Sequence, residues 1–260
     1  MRPRRRLTSM EPWQLALLAL AGVGSGWINV LAGGGSLLTV PIMVFAGLPG
    51  PVANGTNRIA IIAQNIASVS AFRAKGFAEF RLSLSLAAFA SVGAFVGANV
   101  GVRLEGVWFN RVLALVMVAV MAIMLADRKP QADDPEARSR PARNLALGHV
   151  LLIGAGLWGG FIQVGVGFIM MPILHRVMGL DLVRTNMHKV FVALMFSFVA
   201  LGVFAANVPI AWGAGAALAA GNARGGFLGA RTAVDRGAGF IRKAMVVALT
   251  AMIVKLLFFP

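Results

Sequence analysis

The sequence predicts an all-α polytopic membrane protein built from two similar halves. Of its 260 residues, 58% are hydrophobic and only 13% are charged, whereas a soluble domain carries roughly a quarter charged residues. The apolar residues form runs long enough for helical membrane spans. One apolar pattern, interrupted by glycines, occurs in both halves. Duplicated halves with interrupted helices are typical of secondary transporters, in which the interruptions mark the substrate site.

The chain divides into a tail, two membrane repeats and a linker. A basic tail at 1–12 precedes the first repeat at 13–126, and the second repeat covers 145–260. Between the repeats lies a hydrophilic linker at 127–144, which is rich in Pro, Asp, Glu and Arg. The tail and the apolar run after it look like a signal peptide, but cleavage would remove part of the first repeat. We therefore expect an uncleaved first span.

Each repeat is predicted to contain five apolar helical segments. These cover residues 13–31, 36–47, 55–72, 82–102 and 108–126, and then 146–164, 167–178, 186–206, 209–230 and 240–258. The second segment of each repeat is short, since twelve helical residues rise about 18 Å and the hydrocarbon core is about 30 Å thick. Each short segment follows a glycine-rich break, which predicts a discontinuous crossing whose unwound backbone faces protein or a water-filled cavity.

Loop charges predict that the two repeats have opposite orientations in the membrane. The loop after the third segment carries Arg73, Lys75 and Arg81 in the first repeat, and its counterpart at 206–209 carries no charge. The loop after the second segment shows the reverse pattern. Because Lys and Arg concentrate in cytoplasmic loops, this alternation indicates inverted repeats, which an odd number of crossings per half would produce.

The distribution of charged residues and the absence of cysteine exclude several classes of function. The formal net charge is +15, but the basic residues lie mostly in short loops, which favours topological charge and contact with anionic lipid over nucleic-acid binding. The absence of cysteine excludes disulfides and thiol chemistry. The three histidines are scattered and predict no metal site. The nine acidic residues lie almost wholly in loops, so neither an enzyme nor a carboxylate relay is expected, and no cofactor is implied.

The glycine breaks are the first candidates for a substrate site. They comprise Gly33, Gly34, Gly35 and Ser36 in the first repeat, and Gly165 and Gly167 in the second. Glycines let the backbone approach a ligand, and Ser36 is predicted to cap the short helix behind it. Backbone N–H groups at such a helix start would attract an anion. Tight helix packing on small residues is the alternative explanation.

Polar and cationic side chains at the start of each third segment are the second group of candidates. These are Thr56, Asn57, Arg58, Thr185, Asn186, His188 and Lys189. Together they would offer hydroxyl, amide and cationic groups to an oxyanion. Helix capping, or cations that reach the headgroups, would explain them without a ligand. Among the histidines, His188 is the best placed for a proton-linked role.

Amides inside the apolar segments form a third group. Asn29 and Gln163 each precede a glycine break and are predicted to line the substrate path or to bond across helices. Gln64 and Asn65 are predicted instead to hold helices together. Two glycine ladders predict flat faces for close helix packing, and they consist of Gly93, Gly97 and Gly101, and of Gly221, Gly225 and Gly229.

These motifs together resemble the sulfite exporter TauE/SafE family of membrane permeases. The resemblance rests on Gly22 and Gly24, on residues 33–36 followed by Pro41, on 53–57 and on 93–103, with degenerate copies in the second repeat. It implies a secondary transporter of the bacterial inner membrane that carries small sulfur-containing anions, such as sulfite or organosulfonates, by alternating access. Its partners would be that anion and membrane lipid, with a homo-oligomer left open. A passive anion channel and a non-transporting membrane scaffold are the alternatives.

Overall fold

The computed structural model describes residues 11–32, 34–76, 79–126 and 141–235, and these ranges contain helices and no β-strand. The helices are α1 (Pro12–Ala32), α2 (Ser36–Phe45), α3 (Gly50–Ala74), α4 (Phe80–Gly101), α5 (Gly106–Ala126), α6 (Leu145–Phe161), α7 (Val166–Pro172), α8 (Leu182–Asn207) and α9 (Trp212–Asp235). A π-helical turn, Ile173–Val177, continues α7. The all-α prediction is confirmed for this part of the chain. The predicted segment 240–258, the start of the tail and most of the linker lie outside the described residues.

Three of the described helices are long and apolar enough to cross a membrane. They are Pro12–Val30 within α1, Phe80–Gly101 and Leu182–Asn207. By contrast, α2 has 10 residues and α7 has 7. Both helices are short, as the sequence predicts for the second segment of each half.

Two helices begin about one turn earlier than predicted. Helix α3 begins at Gly50 with Pro51 in its first turn, where a missing N–H does no harm. Helix α8 is capped by Asp181, whose carboxylate accepts from the backbone N–H groups of Val183 and Arg184. The Thr–Asn pairs of both repeats therefore lie inside these helices and do not cap them, which corrects the prediction that they open the segments.

The two halves of the chain pack against each other reciprocally. Helix α1 of the first half packs along α9 of the second, and α6 of the second half packs along α4 of the first. Helices α3 and α8 also pack against each other. Each half thus supplies a neighbour for the first helix of the other half.

The glycine ladders form the contact surfaces of these reciprocal pairs. A Cβ atom on Gly97 would lie 1.9 Å from the Leu157 carbonyl oxygen of α6. A Cβ atom on Gly225 of α9 would lie 2.0 Å from the Val23 carbonyl oxygen of α1. Backbones approach this closely only where no side chain intervenes, so the predicted close packing is confirmed.

The two helix breaks differ in detail. Between α1 and α2, Gly35 occupies the N-cap position of α2. Its own backbone is already helical, and no side chain caps α2. The prediction that Ser36 caps α2 is therefore wrong, because Ser36 is already helical. Between α6 and α7, Gln163 and Gly165 have φ angles of 64° and 75°. This left-handed backbone ends α6 and redirects the chain into α7.

Candidate functional site

A small cavity lies where both helix breaks meet α3 and α8. Its lining residues are Asn29, Asn65, Gln163, Val166, Gly167, Met170, Lys189, Val190 and Ala193. The cavity volume is about 20 Å³, which is room for about one water molecule. The lining set contains one cation, Lys189, and no carboxylate. The cavity therefore favours negative charge.

Lys189 is buried and connects the cavity wall to the broken end of α1. Its Nζ donates to the carbonyl oxygen of Val30 at 2.8 Å, to Asn186 Oδ1 at 2.7 Å and to the carbonyl oxygen of Asn29 at 3.4 Å. Three acceptors match the three hydrogens of an ammonium group. The two carbonyls belong to the end of α1, where a helix carries partial negative charge. A cation of the second half of the chain therefore stabilises the end of α1 in the first half.

Arg58 makes the reciprocal contact in the other direction. It is fully buried, and its guanidinium donates to the carbonyl oxygens of Gly159 at 2.6 Å and Gly160 at 2.7 Å, in the last turn of α6. It also donates to Gln163 Oε1 and lies over the Phe204 ring, 5.3 Å from its centroid. Arg58 stabilises the end of α6 and is not among the residues that line the cavity.

Asn65 joins the cavity, although the sequence pattern suggested a role in holding helices together. It is 1% exposed, and its Nδ2 has no hydrogen-bond partner within the described ranges. A buried amide donor without a partner is unfavourable, so a water or ligand in the cavity would satisfy it. Asn65 follows Arg58 by two helical turns, so both lie on one face of α3, but nothing in the sequence shows that this face borders the cavity.

Asn29 and Gln163 bring both breaks to the cavity. Asn29 Oδ1 accepts from the backbone N–H of Gly35 at 3.1 Å, so this side chain holds the first break in shape. Gln163 accepts from Arg58, which links the second break to α3. Gly167, in the first turn of α7, completes the set of sequence-predicted residues that the cavity brings together with Lys189.

The other candidates of the first break are engaged within the protein. Asn57 Oδ1 accepts from Thr39 Oγ1 at 2.7 Å, and Asn57 Nδ2 donates to Ser36 Oγ at 3.2 Å. The Gly35 N–H donates to Asn29 and is not directed to a ligand. Gly34 is buried, and Gly33 lies outside the described residues. This network connects α2 to α1 and α3.

The threonines also bond within the protein. Thr56 Oγ1 accepts from the backbone N–H of Ala211 at 3.1 Å, across to the start of α9. Thr185 Oγ1 donates to the carbonyl oxygen of Leu180 at 3.3 Å. Asn186 accepts from Lys189, so it positions the cavity lysine. Gly165 precedes α7, and a Cβ there would lie 2.7 Å from a Val120 methyl carbon.

His188 belongs to a separate polar cluster at the start of α4. Its Nδ1 and Ser83 Oγ are hydrogen-bonded at 2.8 Å, and its Nε2 lies 3.6 Å from Glu79 Oε2. Arg184 donates to the same carboxylate twice, from Nε to Oε1 at 2.5 Å and from Nη2 to Oε2 at 2.8 Å. The His188 contact and the Arg184 pair outweigh burial and lower the pKa of Glu79 from 4.5 to about 2. Near this cluster, Asp181 is a buried carboxylate that the sequence pattern did not reveal.

Within residues 11–32, 34–76, 79–126 and 141–235, no three His, Asp or Glu side chains lie close enough together to hold a metal ion.

Comparison with known proteins points to one family. The model of the family described as "Sulfite exporter TauE/SafE" matches residues 18–256. A probable membrane transporter protein of Sinorhizobium is 26% identical over 247 residues, which are 95% of this chain and 93% of that protein. One of Haemophilus influenzae is 24% identical, with 94% of each chain covered. One of Escherichia coli is 23% identical, with 97% of this chain and 93% of that protein covered. No solved structure matches the chain significantly.

Proposed function

The chain belongs to the sulfite exporter TauE/SafE family of membrane transporters, and from this premise we propose that it is a secondary transporter for a small sulfur-containing anion. Sulfite and short organosulfonates are the proposed solutes, and the bacterial inner membrane is the proposed location. The sulfur chemistry comes from the family's description. That the solute is an anion rests also on the cavity itself.

One observation carries the proposal: both helix breaks contribute to a single cavity whose one charged wall residue is Lys189. Its ammonium group would form a charge-assisted hydrogen bond with an oxyanion, which is stronger than a neutral one. Asn65 Nδ2, which has no partner within the described part of the chain, would donate to a second oxygen. The apolar side of the cavity, formed by Met170, Val190 and Ala193, would contact a short organic group once the cavity widens.

The contacts of Lys189 support a coupling between anion binding and helix movement. At about 20 Å³ the cavity is too small for a sulfonate, so we regard this conformation as the closed one. An anion would compete with the Val30 and Asn29 carbonyls for the ammonium hydrogens and would loosen the end of α1. Arg58, which lies away from the cavity, would keep the end of α6 in place. Such one-sided release suits alternating access by inverted repeats.

Substitution of Lys189 in purified protein tests this proposal. We expect Lys189→Gln to reduce sulfite and sulfoacetate flux into proteoliposomes about ten- to a hundredfold, since a hydrogen bond to a charged group contributes about 1.5–3 kcal/mol. Lys75→Gln is the matched control, because Lys75 also donates to a backbone carbonyl, that of Arg231 at 3.1 Å, but is exposed. Its flux should equal that of the wild type.

The alternatives give different outcomes in the same vesicles. A passive channel would show flux that rises linearly with sulfite concentration, without saturation. A scaffold would show no flux of either solute above that of empty vesicles. Folded Lys189→Gln protein with unchanged, saturable flux would remove the cavity from the mechanism while leaving the family assignment intact.

A further inference from the structure

The cluster around His188 lies beside the cavity lysine but does not share its cavity. His188 and Lys189 are consecutive on α8, yet His188 faces α4 while Lys189 borders the cavity. We propose that His188 and Glu79, with Ser83, form a proton-binding site that couples movement of the anion to movement of a proton. This inference rests on the proposed function and names the coupling ion that it leaves open.

The geometry leaves one ring nitrogen ready to accept a proton. His188 is fully buried, and its Nδ1 is occupied by the hydrogen bond with Ser83 Oγ. Its Nε2 has no hydrogen-bond partner in the part of the chain that the structure describes, and it lies 3.6 Å from Glu79 Oε2. A protonated Nε2 gains a charged acceptor there, whereas a neutral, unprotonated one has none. Protonation therefore supplies the missing partner.

Glu79 connects the buried ring to water. Its side chain is 38% exposed, whereas that of His188 is fully buried. Arg184 holds the carboxylate through two hydrogen bonds, so the oxygen that faces the ring stays in place. A proton can thus pass between water and His188 by way of this carboxylate.

The proton step is balanced within the cluster. In the tautomer that we assign to the neutral ring, Nδ1–H donates to Ser83 Oγ and the lone pair of Nε2 is unprotonated. A proton from water reaches Nε2 through the Glu79 carboxylate, and the resulting imidazolium donates Nε2–H to Glu79 Oε2. Release to water reverses the same transfer, and no other bond is made or broken.

Other charged groups on the elements packed around α8 are directed elsewhere. Arg184 binds Glu79 and lies 4.0 Å from Asp181, which caps α8. Four further groups on these elements contact partners other than His188: Arg58 contacts the end of α6, Arg73 the Phe80 ring, His149 Ser85 and His175 the Leu180 carbonyl. Within the described ranges, Glu79 is thus the carboxylate that faces the ring.

The coupling follows from the position of His188 next to Lys189. Protonation of His188 places a second positive charge beside the cavity cation, and the two charges repel. An anion in the cavity offsets that repulsion, so proton binding and anion binding favour each other, as linkage requires. The contraction of the 3.6 Å contact would also draw this turn of α8 toward α4. The proton and the anion are therefore expected to cross together.

The test measures protons moved per sulfoacetate in proteoliposomes with a trapped pH indicator. Sulfoacetate is fully ionised near pH 7 and brings no proton of its own. Wild-type protein should acidify the lumen as sulfoacetate enters. We expect His188→Asn and Glu79→Gln to lower the number of protons per sulfoacetate to near zero, because each variant removes one of the two groups that hold the proton. His149→Asn is the matched control, because His149 hydrogen-bonds Ser85 of the same helix α4, and its ratio should equal that of the wild type.

A second measurement follows the ring directly. The chain has three histidines, so ¹⁵N-histidine labelling yields few ring signals, which His188→Asn and His149→Asn assign. The His188 signals should change as the pH is lowered and the ring gains a proton, and Glu79→Gln should alter that change while leaving the His149 signals as they are. His188 ring signals that do not respond to pH, or wild-type sulfoacetate flux without protons, would overturn the inference alone. Wild-type protein that moves neither sulfite nor sulfoacetate would overturn the proposed function as well.

Discussion

At the residue scale, two buried cations, one in each half of the chain, stabilise the carbonyl end of a helix in the other half. Arg58 donates to the last carbonyls of α6, and Lys189 donates to those of α1. The two side chains are not equivalent, however. Arginine is a planar fork that binds several carbonyls at once, whereas lysine is a compact charge on a flexible stem. Arginine therefore suits the fixed contact with the end of α6, and lysine suits the cavity wall beside the end of α1.

Glu79 should make stability depend on pH. Its pKa is about 2 in the folded protein because His188 and Arg184 lie against it. A lowered pKa stabilises the fold above the ordinary carboxyl value, and this contribution is lost as the pH falls through the folded value. We expect Glu79→Gln to lower the Tm in detergent at pH 7, and its difference from the wild type to shrink between about pH 4.5 and pH 2.

Thermal unfolding monitored by circular dichroism checks this dependence. Glu105→Gln is the control, since Glu105 is an exposed carboxylate near the start of α5, and its difference from the wild type should not vary in this way. A Glu79→Gln difference that stays constant from pH 7 to pH 2 would show that the ion pair with Arg184 adds nothing to stability.

At the element scale, the glycine ladders determine how closely the helices approach. Gly97→Ala should destabilise the protein by about 1–3 kcal/mol, the usual effect of overpacking, because the added Cβ would lie 1.9 Å from the Leu157 carbonyl oxygen. Gly225→Ala should have a similar effect, since the new atom would meet the Val23 carbonyl oxygen at 2.0 Å. Denaturation of the purified variants in mixed micelles measures both changes.

Gly154→Ala is the matched control on the same helix pair. Gly154 lies in α6, and a Cβ there meets no atom within 4 Å. Alanine is a better helix former than glycine by about 1 kcal/mol, so this variant should be unchanged or slightly more stable. Equal stability of Gly97→Ala and Gly154→Ala would mean that α4 and α6 are not in close contact along the ladder.

At the scale of the whole molecule, the cavity lies between the two halves of the chain, because its lining residues come from both. Alternating access predicts that this cavity opens to each side of the membrane in turn. The chain has no cysteine, so Ala193→Cys, at the cavity wall, reports on opening. We expect an impermeant thiol reagent to label it from either side of proteoliposomes, and sulfoacetate to change the labelling rate about tenfold or more.

Ala200→Cys supplies the control on the same helix. Ala200 is 0% exposed and packs in an apolar cluster with Phe204 and Ala98, so it should remain unlabelled with or without sulfoacetate. Labelling of Ala193→Cys from one side only, at a rate that sulfoacetate does not change, would contradict alternating access.

The sequence by itself determined the helical class, the positions of nine segments and the helix-packing role of the glycine ladders. These depend on local properties: apolar run length, the short reach of twelve residues, and glycine spacing along one helix face. The apolar pattern places the starts of α3 and α8 about one turn too late, because Pro51 and Asp181 begin these helices before the apolar residues do.

Only the tertiary structure decided which polar side chains share a cavity. It brings Asn29, Gln163, Gly167 and Lys189 together and adds Asn65, while Thr56 and Thr185 bond to backbone elsewhere. The rotation of each helix about its axis makes this choice, because neighbouring positions on a helix point about 100° apart. That rotation is set by contacts between helices distant in the chain, such as α3 with α8, and no local pattern specifies it.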